Sequence, residues 1–440
     1  MKKLFIVFLL IFLVHTGNAQ DRKFHIFLCF GQSNMEGAAR IEPQDTVNIS
    51  ERFRMMAAVD DASRGRVKGQ WYKAIPPLCR EKTGLTPVDY FGRTLLEVLP
   101  EDHTVGVINV SIGGCRIEAF MKDKIGEYAK TAPEWMIPML KAYDNDPYKW
   151  LVELAAKAQK DGVISGILIH QGESNIGEED WPLKIRSVYE NLLKDLNLKA
   201  EDVPLIAGEV VNADRGGRSA SMTLIIDKLP ETIPTAHVVS SSCCTQFFDQ
   251  IHFDAAGYRD IGRRYAAVML PLMGYKAPVS RMYNLPVESP VIHRFGGGVT
   301  FNIRAPHAKS VLLSSQFLKE NVSLTMNREG IWSITLKVEN PDIYPYNFIV
   351  DGVAVSDPSN TEIFPNEGFK ASLLTMPDKN ALYTVNDVPH GRVTWCTYKS
   401  DVLGTYRPLL VYTPAGYETG DKSYPVFYLV SGTTDTEETW

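Results

Sequence analysis

Ser33 sits in the stretch CFGQSNMEG, directly behind an apolar run, and Asp249 and His252 stand three positions apart much later in the chain. Acyl transfer needs a hydroxyl to attack, an imidazole to take and return its proton, a carboxylate to hold that imidazole, and donors aimed at the developing oxyanion. All four residue types are present. Ser33 would attack, His252 would act as general base and then general acid, and Asp249 would orient the ring. The backbone N–H groups of Ser33 and of Gly113 or Gly114, with the side-chain amide of Gln171, would hold the oxyanion. Each feature also has a plainer reading, because a serine caps helices and turns, an Asp-x-x-His pair opens helices and two glycines make a turn.

The elements around these residues are what bring them together. From Phe24 to about Met273, short β-branched runs alternate with longer amphipathic stretches, the pattern of a mostly parallel sheet with helices on both faces. Strands are predicted at Phe24–Phe30, Thr104–Val110, Val163–His170, Pro204–Glu209 and Ala236–Ser240, and helices at Val88–Leu99, Pro147–Lys160, Pro182–Leu196, Ala220–Leu229 and Ala255–Leu272. Open parallel sheets build their sites at the carboxyl ends of the strands. Ser33 follows the first strand, Ser111-Ile112-Gly113-Gly114 the second, and His170 to Asn175 the third. Asp249 and His252 follow the fifth, just ahead of a helix that Asp254 would cap. Met35 stands where the nucleophile elbow of the common α/β-hydrolase fold needs its last glycine, so a different serine hydrolase is indicated.

Beyond this region the architecture changes. Residues 274–290 carry three prolines and read as a linker, and residues 291–384 offer alternating runs such as Val299–Ile303, Ser310–Leu313, Trp332–Val338 and Tyr346–Val350, a small all-β sandwich. The last segment, 385–440, offers strands at Arg392–Lys399, Thr405–Thr413 and Tyr424–Val430 and is too short for another complete core.

At the other end, Lys2 and Lys3 precede an apolar stretch from Leu4 to Val14, and small residues precede Gln20, which reads as a signal peptide over residues 1–19. The protein would then be secreted or periplasmic. The apolar stretch is shorter than the ~20 residues of a spanning helix, so no membrane insertion is expected. A formal net charge of −6, with acidic residues spread along the chain, leaves no electrostatic footprint for nucleic acid. Six cysteines in an exported chain permit disulfides, but their spacing resembles neither a disulfide scaffold nor a zinc site. Buried free thiols are expected, with a Cys79–Cys115 pair as the alternative.

Gly31-Gln32-Ser33-Asn34-Met35, Gly113-Gly114, Gln171-Gly172-Glu173-Ser174-Asn175 and Asp249-x-x-His252 together resemble the SGNH hydrolases, specifically carbohydrate esterase family 6 and the related sialate O-acetylesterases. The resemblance covers about residues 24 to 272. It implies an α/β fold of flavodoxin-like three-layer type over residues 20–273, with Ser33 as nucleophile, Asp249 and His252 as its pair, and no metal or other cofactor. In the block that such enzymes usually write Gly-x-Asn-Asp, Gln171 would replace the oxyanion asparagine, and Asn175 is the other candidate. Glu173 would either organise that loop or be a buried structural acid. Where relatives often read Gly-Gly-Thr-x-Ile-x-x-Trp, this chain has Gly113 to Phe120 with Arg116 inside it, which would either contact a sugar or pair with Glu118.

The sandwich region is similar to the immunoglobulin-like early-set module found before some feruloyl and acetylxylan esterases. Its Trp332, Tyr344 and Tyr346 would stack on sugar rings or fill the core. Residues 392–440 resemble the opening strands of a carbohydrate esterase family 1 domain, a truncated α/β-hydrolase segment whose own serine and histidine would lie beyond Trp440. The function implied is a serine O-acetylesterase acting on an acetylated carbohydrate, acetylated xylan ahead of sialate. The alternatives are a non-catalytic carbohydrate-binding protein and, on the same fold, a lipase or thioesterase.

Overall fold

The computed structural model describes residues 21–277, 286–293, 298–366, 368–378 and 384–439. The expected signal peptide at residues 1–19 and residues 278–285 of the expected linker lie outside them. The chain divides into two units.

The first unit is built on a seven-stranded sheet. Its strands are β1 (Asp21–Gly31), β2 (Phe53–Met56), β3 (Trp71–Lys73), β4 (Thr104–Ser111), β5 (Gly162–His170), β6 (Leu205–Gly208) and β7 (Ala236–Val239), in the order β3-β2-β4-β1-β5-β6-β7. Only the edge strand β3 runs antiparallel to its neighbour. β1 lies mid-sheet, and over residues 26–30 it is apolar and buried because both of its faces are covered there. Its side chains alternate between two cores, with Ile26, Leu28 and Phe30 in one and Phe27 and Cys29 in the other.

The five strands and most of the long helices read from the sequence are present, the helices at Pro87–Val98, Pro147–Ala158, Trp181–Asp195 and Ala255–Leu272. The expected helix over Ala220–Leu229 is instead broken into Ala220–Met222, Thr223–Ile226 and Leu229–Thr232. Pro230 explains the break: with no N–H to donate to Ile226, it ends one turn and opens the next. The strands β2 and β3 were not expected. They lie in a segment rich in polar and turn residues, and the pairing of β2 with β4 and of β3 with β2 is what makes them part of the sheet.

The second unit gathers Asn212–Arg218, Phe248–Gln250 and the C-terminal part of the chain. It contains β8 (Val291–Ile292), β9 (Gly298–Arg304), β10 (Val311–Ser315), β11 (Val322–Ser323), β12 (Thr325–Met326), β13 (Ile331–Lys337), β14 (Ile343–Val350), β15 (Val353–Val355), β16 (Ile363–Pro365), β17 (Lys370–Thr375), β18 (Arg392–Ser400) and β19 (Thr405–Thr413). One antiparallel sheet runs β11-β10-β14-β17-β16 with β15 against β14, a second runs β12-β13-β9-β8, and β18 pairs with β19 alone. Val299 and Phe301 of β9, Leu313 of β10, Phe348 of β14 and Leu374 of β17 fill one core shared by the two larger sheets.

The aromatic residues offered for sugar stacking belong to this core. Tyr346 is buried and donates its hydroxyl to Asp357 (2.7 Å), Trp332 donates to the Ala305 carbonyl (2.9 Å), and Tyr344 packs edge-on against Phe317. The run Tyr424–Val430, expected as a strand, has no strand conformation, because among the described residues no neighbour supplies a ladder for it. Among the described residues no helix is long and apolar enough to cross a membrane.

Candidate active site

β1 ends at Gly31 because the chain must pass close to β5. A Cβ built at Gly31, whose φ is +153°, would lie 2.2 Å from the His170 carbonyl oxygen, so only glycine fits. The Gln32 N–H then donates to that same carbonyl (3.0 Å), and Ser33 opens a four-residue helical turn, Ser33–Glu36. Sequence register thus delivers Ser33, half-buried, to the carboxyl edge of the sheet.

His252 arrives from the other side. It lies in the loop between β7 and the helix Ala255–Leu272, whose first turn is capped by Asp254 accepting from Gly257 N–H (2.8 Å). A pair of strand-like contacts folds that loop back, with the Phe247 N–H donating to the His252 carbonyl (2.7 Å) and Gln246 bridged to Phe253. The outcome is a contact across the edge: His252 Nε2 lies 2.8 Å from Ser33 Oγ, a distance at which imidazole can take the hydroxyl proton. Asp249 is a half-buried turn residue three positions before His252, separated from it in part by Gln250 in the left-handed region (φ +62°).

Asn34 ties the two loops together, a role that sequence reasoning missed although the residue adjoins Ser33. Its Nδ2 donates to the Ile251 carbonyl (2.9 Å) and to Glu173 Oε1 (2.5 Å), while its Oδ1 accepts from Tyr258 O–H (2.7 Å) and Phe253 N–H (3.3 Å). Four bonds saturate one buried amide. On the opposite side, Arg80 pairs with Glu36 of the Ser33 turn and donates to Tyr143 (2.9 Å), another positioning contact with no signature in the sequence.

Glu173 reaches the same place from β5. Its Oε1 accepts from Asn34, its Oε2 is buried without a hydrogen-bond partner, and burial raises its pKa, opposed by the Asn34 bond and by the nearby His252 imidazole. Both readings left open for Glu173, loop organiser and buried structural acid, fit this position. His170, just before it, is fully buried and held neutral, its pKa lowered to about 3 by burial.

The amide of Gln171 is placed differently from the expectation. Trp181 Nε1, a donor only, bonds to Gln171 Oε1 (2.5 Å) and so fixes which end of the amide is NH2. That NH2 donates to Asn175 Oδ1 (2.6 Å) and to Gln32 Oε1 (3.1 Å), which commits both hydrogens within the protein. Gln171 therefore holds the Gln32 turn in position and has no hydrogen left for an oxyanion. Asn175 is likewise committed, its NH2 donating to Glu178 (2.9 Å) and Glu118 (3.1 Å).

Backbone donors remain. Among the described residues, no protein acceptor pairs with the N–H of Ser33, Gly113 or Gly114. Gly113 lies against the Ser33 turn, since a Cβ built on it would lie 2.6 Å from Glu36 Oε2, and Ser174 Oγ donates to the Gly114 carbonyl (2.9 Å). Arg116, left between sugar and acid, pairs with Glu178 and with Glu118 (3.4 Å).

Cys79 and Cys115 are not joined to each other, so the alternative Cys79–Cys115 bridge is absent. Cys79 Sγ lies 3.4 Å from the Tyr143 hydroxyl, and Cys115 Sγ donates to the Gly31 carbonyl (3.6 Å), each occupied on its own side. Among the described residues no group of three or more His, Cys, Asp or Glu is placed to hold a metal ion.

A family model described as carbohydrate esterase, sialic acid-specific acetylesterase matches residues 23–271, more than half of the chain. The chain belongs to that carbohydrate esterase family. The match covers both Ser33 and His252. An endo-1,4-β-xylanase/feruloyl esterase of Xylanibacter ruminicola is 26% identical over 160 residues, 35% of this chain and 22% of that protein, so the chain spans under a quarter of that relative's length. A carbohydrate acetylesterase of Xanthomonas citri is 17% identical, with 73% of this chain and 74% of that one covered at a TM-score of 0.44. A protein of Arabidopsis thaliana is also 17% identical, with 56% of this chain and 98% of that one covered at a TM-score of 0.42.

Proposed function

We propose that this carbohydrate esterase is a serine O-acetylesterase that removes acetyl groups from a polysaccharide such as acetylated xylan. The observation that carries the reading is the 2.8 Å approach of His252 Nε2 to Ser33 Oγ inside the family-matched region.

In this mechanism Ser33 Oγ attacks the acetyl carbonyl carbon as His252 Nε2 takes the hydroxyl proton. The N–H groups of Ser33 and of Gly113 or Gly114 hold the oxyanion, the role left to the backbone once the Gln171 amide is committed. The carbon–oxygen bond to the sugar then breaks, and His252 returns the proton to the departing sugar hydroxyl. Water, deprotonated by His252, attacks the acetyl-Ser33 ester and releases acetate. Asp249 orients the imidazole.

Xylan is put ahead of sialic acid because a relative carries xylanase and feruloyl esterase in its description, while the family description favours the sialate reading. The same reading assigns residues 1–19 as a secretory signal, residues 291–384 as an immunoglobulin-like module and residues 385–440 as a segment similar to the opening strands of a second esterase domain.

Mass spectrometry after treatment with a serine-reactive organophosphonate should place one adduct on Ser33, absent in His252→Ala. Acetate release in Ser33→Ala and His252→Ala should fall by about a thousandfold or more with melting temperature retained. Undiminished release would refute the assignment. Assays on acetylated xylan and O-acetyl sialic acid side by side decide the substrate.

A further inference from the structure

We propose that Trp135 is a stacking platform for a pyranose ring of the carbohydrate at the rim of the Ser33 site, an assignment that rests on the carbohydrate-esterase reading above. Trp135 is 59% exposed; of the tryptophans in the first unit Trp181 is buried and Trp71 and Trp150 are half-buried, while Trp395 of the second unit is exposed to a similar degree. An indole left in water forgoes the burial that normally accounts for a tryptophan's contribution to stability. Such a ring calls for another explanation.

Its location supplies one. A Cβ built on Gly114 would lie 2.6 Å from Cη2 of Trp135, so the six-membered ring rests directly on the Gly114 backbone. Gly114 has φ +67°, which favours glycine there, and the missing side chain is also what admits the indole. Gly113, the preceding residue, lies against Glu36 of the turn that Ser33 opens. From the nucleophile to the glycine pair to the indole there is one continuous run of contacts. The ring therefore stands beside the proposed oxyanion donors, with its outer surface open to solvent.

The segment that carries the ring is anchored as well. The next residue, Met136, is buried in the core, and its N–H donates to the Pro133 carbonyl (2.8 Å). The Tyr128 hydroxyl donates to Met136 Sδ (3.5 Å) and accepts from the Arg116 N–H (3.0 Å), tying the Trp135 segment to the loop that follows Gly114. A rigid aromatic anchor binds at small entropic cost.

The occupant follows from the chemistry. A pyranose such as xylose is uncharged and carries one face of C–H groups, which packs on an aromatic plane while its hydroxyls stay in water. Neutral sugars offer a net-acidic protein no charge to recognise, so a flat apolar surface is a suitable means of holding the chain next to the acetylated unit. A small acetyl ester confined to the Ser33–His252 pair would not span that surface.

The test compares full-length protein with Trp135→Ala and Trp135→Phe on acetylated xylohexaose and on 4-nitrophenyl acetate. The ratio of kcat/KM on the oligosaccharide to kcat/KM on the small ester should fall about tenfold in Trp135→Ala, mostly through KM, and recover in part in Trp135→Phe. An unchanged ratio, including equal losses on both substrates, would overturn the proposal, because the ring would then serve only the fold or the chemistry. A second arm measures calorimetric binding of acetylated xylohexaose to Ser33→Ala with and without Trp135→Ala. If the native protein hydrolyses neither ester, the esterase reading fails while this arm still decides the platform: binding weakened about tenfold supports it, and unchanged or absent binding overturns it.

Discussion

Asn34 shows how much of a catalytic geometry can rest on one side chain that takes no part in the chemistry. It joins the Ser33 turn to the Ile251–Phe253 loop and to Glu173, so the nucleophile and the histidine are positioned by the same amide. Asn34→Ala would leave the Phe253 N–H and the Tyr258 hydroxyl without their acceptor in a buried setting, at a cost of about 2–4 kcal/mol. Acetate release should fall about 10- to 100-fold, because a small displacement of either loop opens the Ser33–His252 contact. Thermal melting together with kcat on a small acetate ester checks both effects; a melting temperature that falls with kcat unchanged would confine Asn34 to the fold.

At the scale of elements, the helix Pro87–Val98 carries a buried ionisable group at its start. Thr86 and Asp89 form a reciprocal capping box, in which Asp89 Oδ2 accepts from the Thr86 N–H (3.0 Å) while Oδ1 is buried without a partner. Burial raises the Asp89 pKa to about 7, opposed by the Thr86 bond. An unfolded aspartate releases its proton near pH 4, whereas the folded one holds it to about pH 7. The contribution of Asp89 to stability is therefore fully present below about pH 4, declines as pH rises from there, and is lost above about pH 7. Asp89→Asn keeps an acceptor for Thr86 and removes the ionisation, so its melting temperature should vary less between pH 4 and pH 8 than that of the native protein. Melting curves at four or five pH values across that window test this, and equal slopes would place the proton elsewhere.

At the scale of the molecule, stability comes from two layers of core around the seven-stranded sheet and a third core in the second unit. Cys29, Cys79 and Cys115 are buried where desolvation raises the pKa of each and suppresses the reactive thiolate. The melting temperature should be the same with and without a reductant, and six thiols should titrate in denaturant without prior reduction. Fewer than six would reveal a bridge.

The sequence alone determined the central strands, the alternation of strand and helix and the residues at the carboxyl edge. These depend on local patterns: β1, β4 and β5 each carry a mostly apolar stretch, and the helix Ala255–Leu272 has an amphipathic period with a capping aspartate before it. Ser33 and the Gly113–Gly114 turn were legible for the same reason, following the ends of β1 and β4, and His252 through the Asp-x-x-His spacing ahead of the capped helix. Tertiary structure decided the rest. It made strands of Phe53–Met56 and Trp71–Lys73, withheld one from Tyr424–Val430, and turned the Gln171 amide inward by placing Trp181, Gln32 and Asn175 around it. Strand pairing and hydrogen-bond saturation depend on partners distant in the chain, and neither is encoded in the residue types on either side.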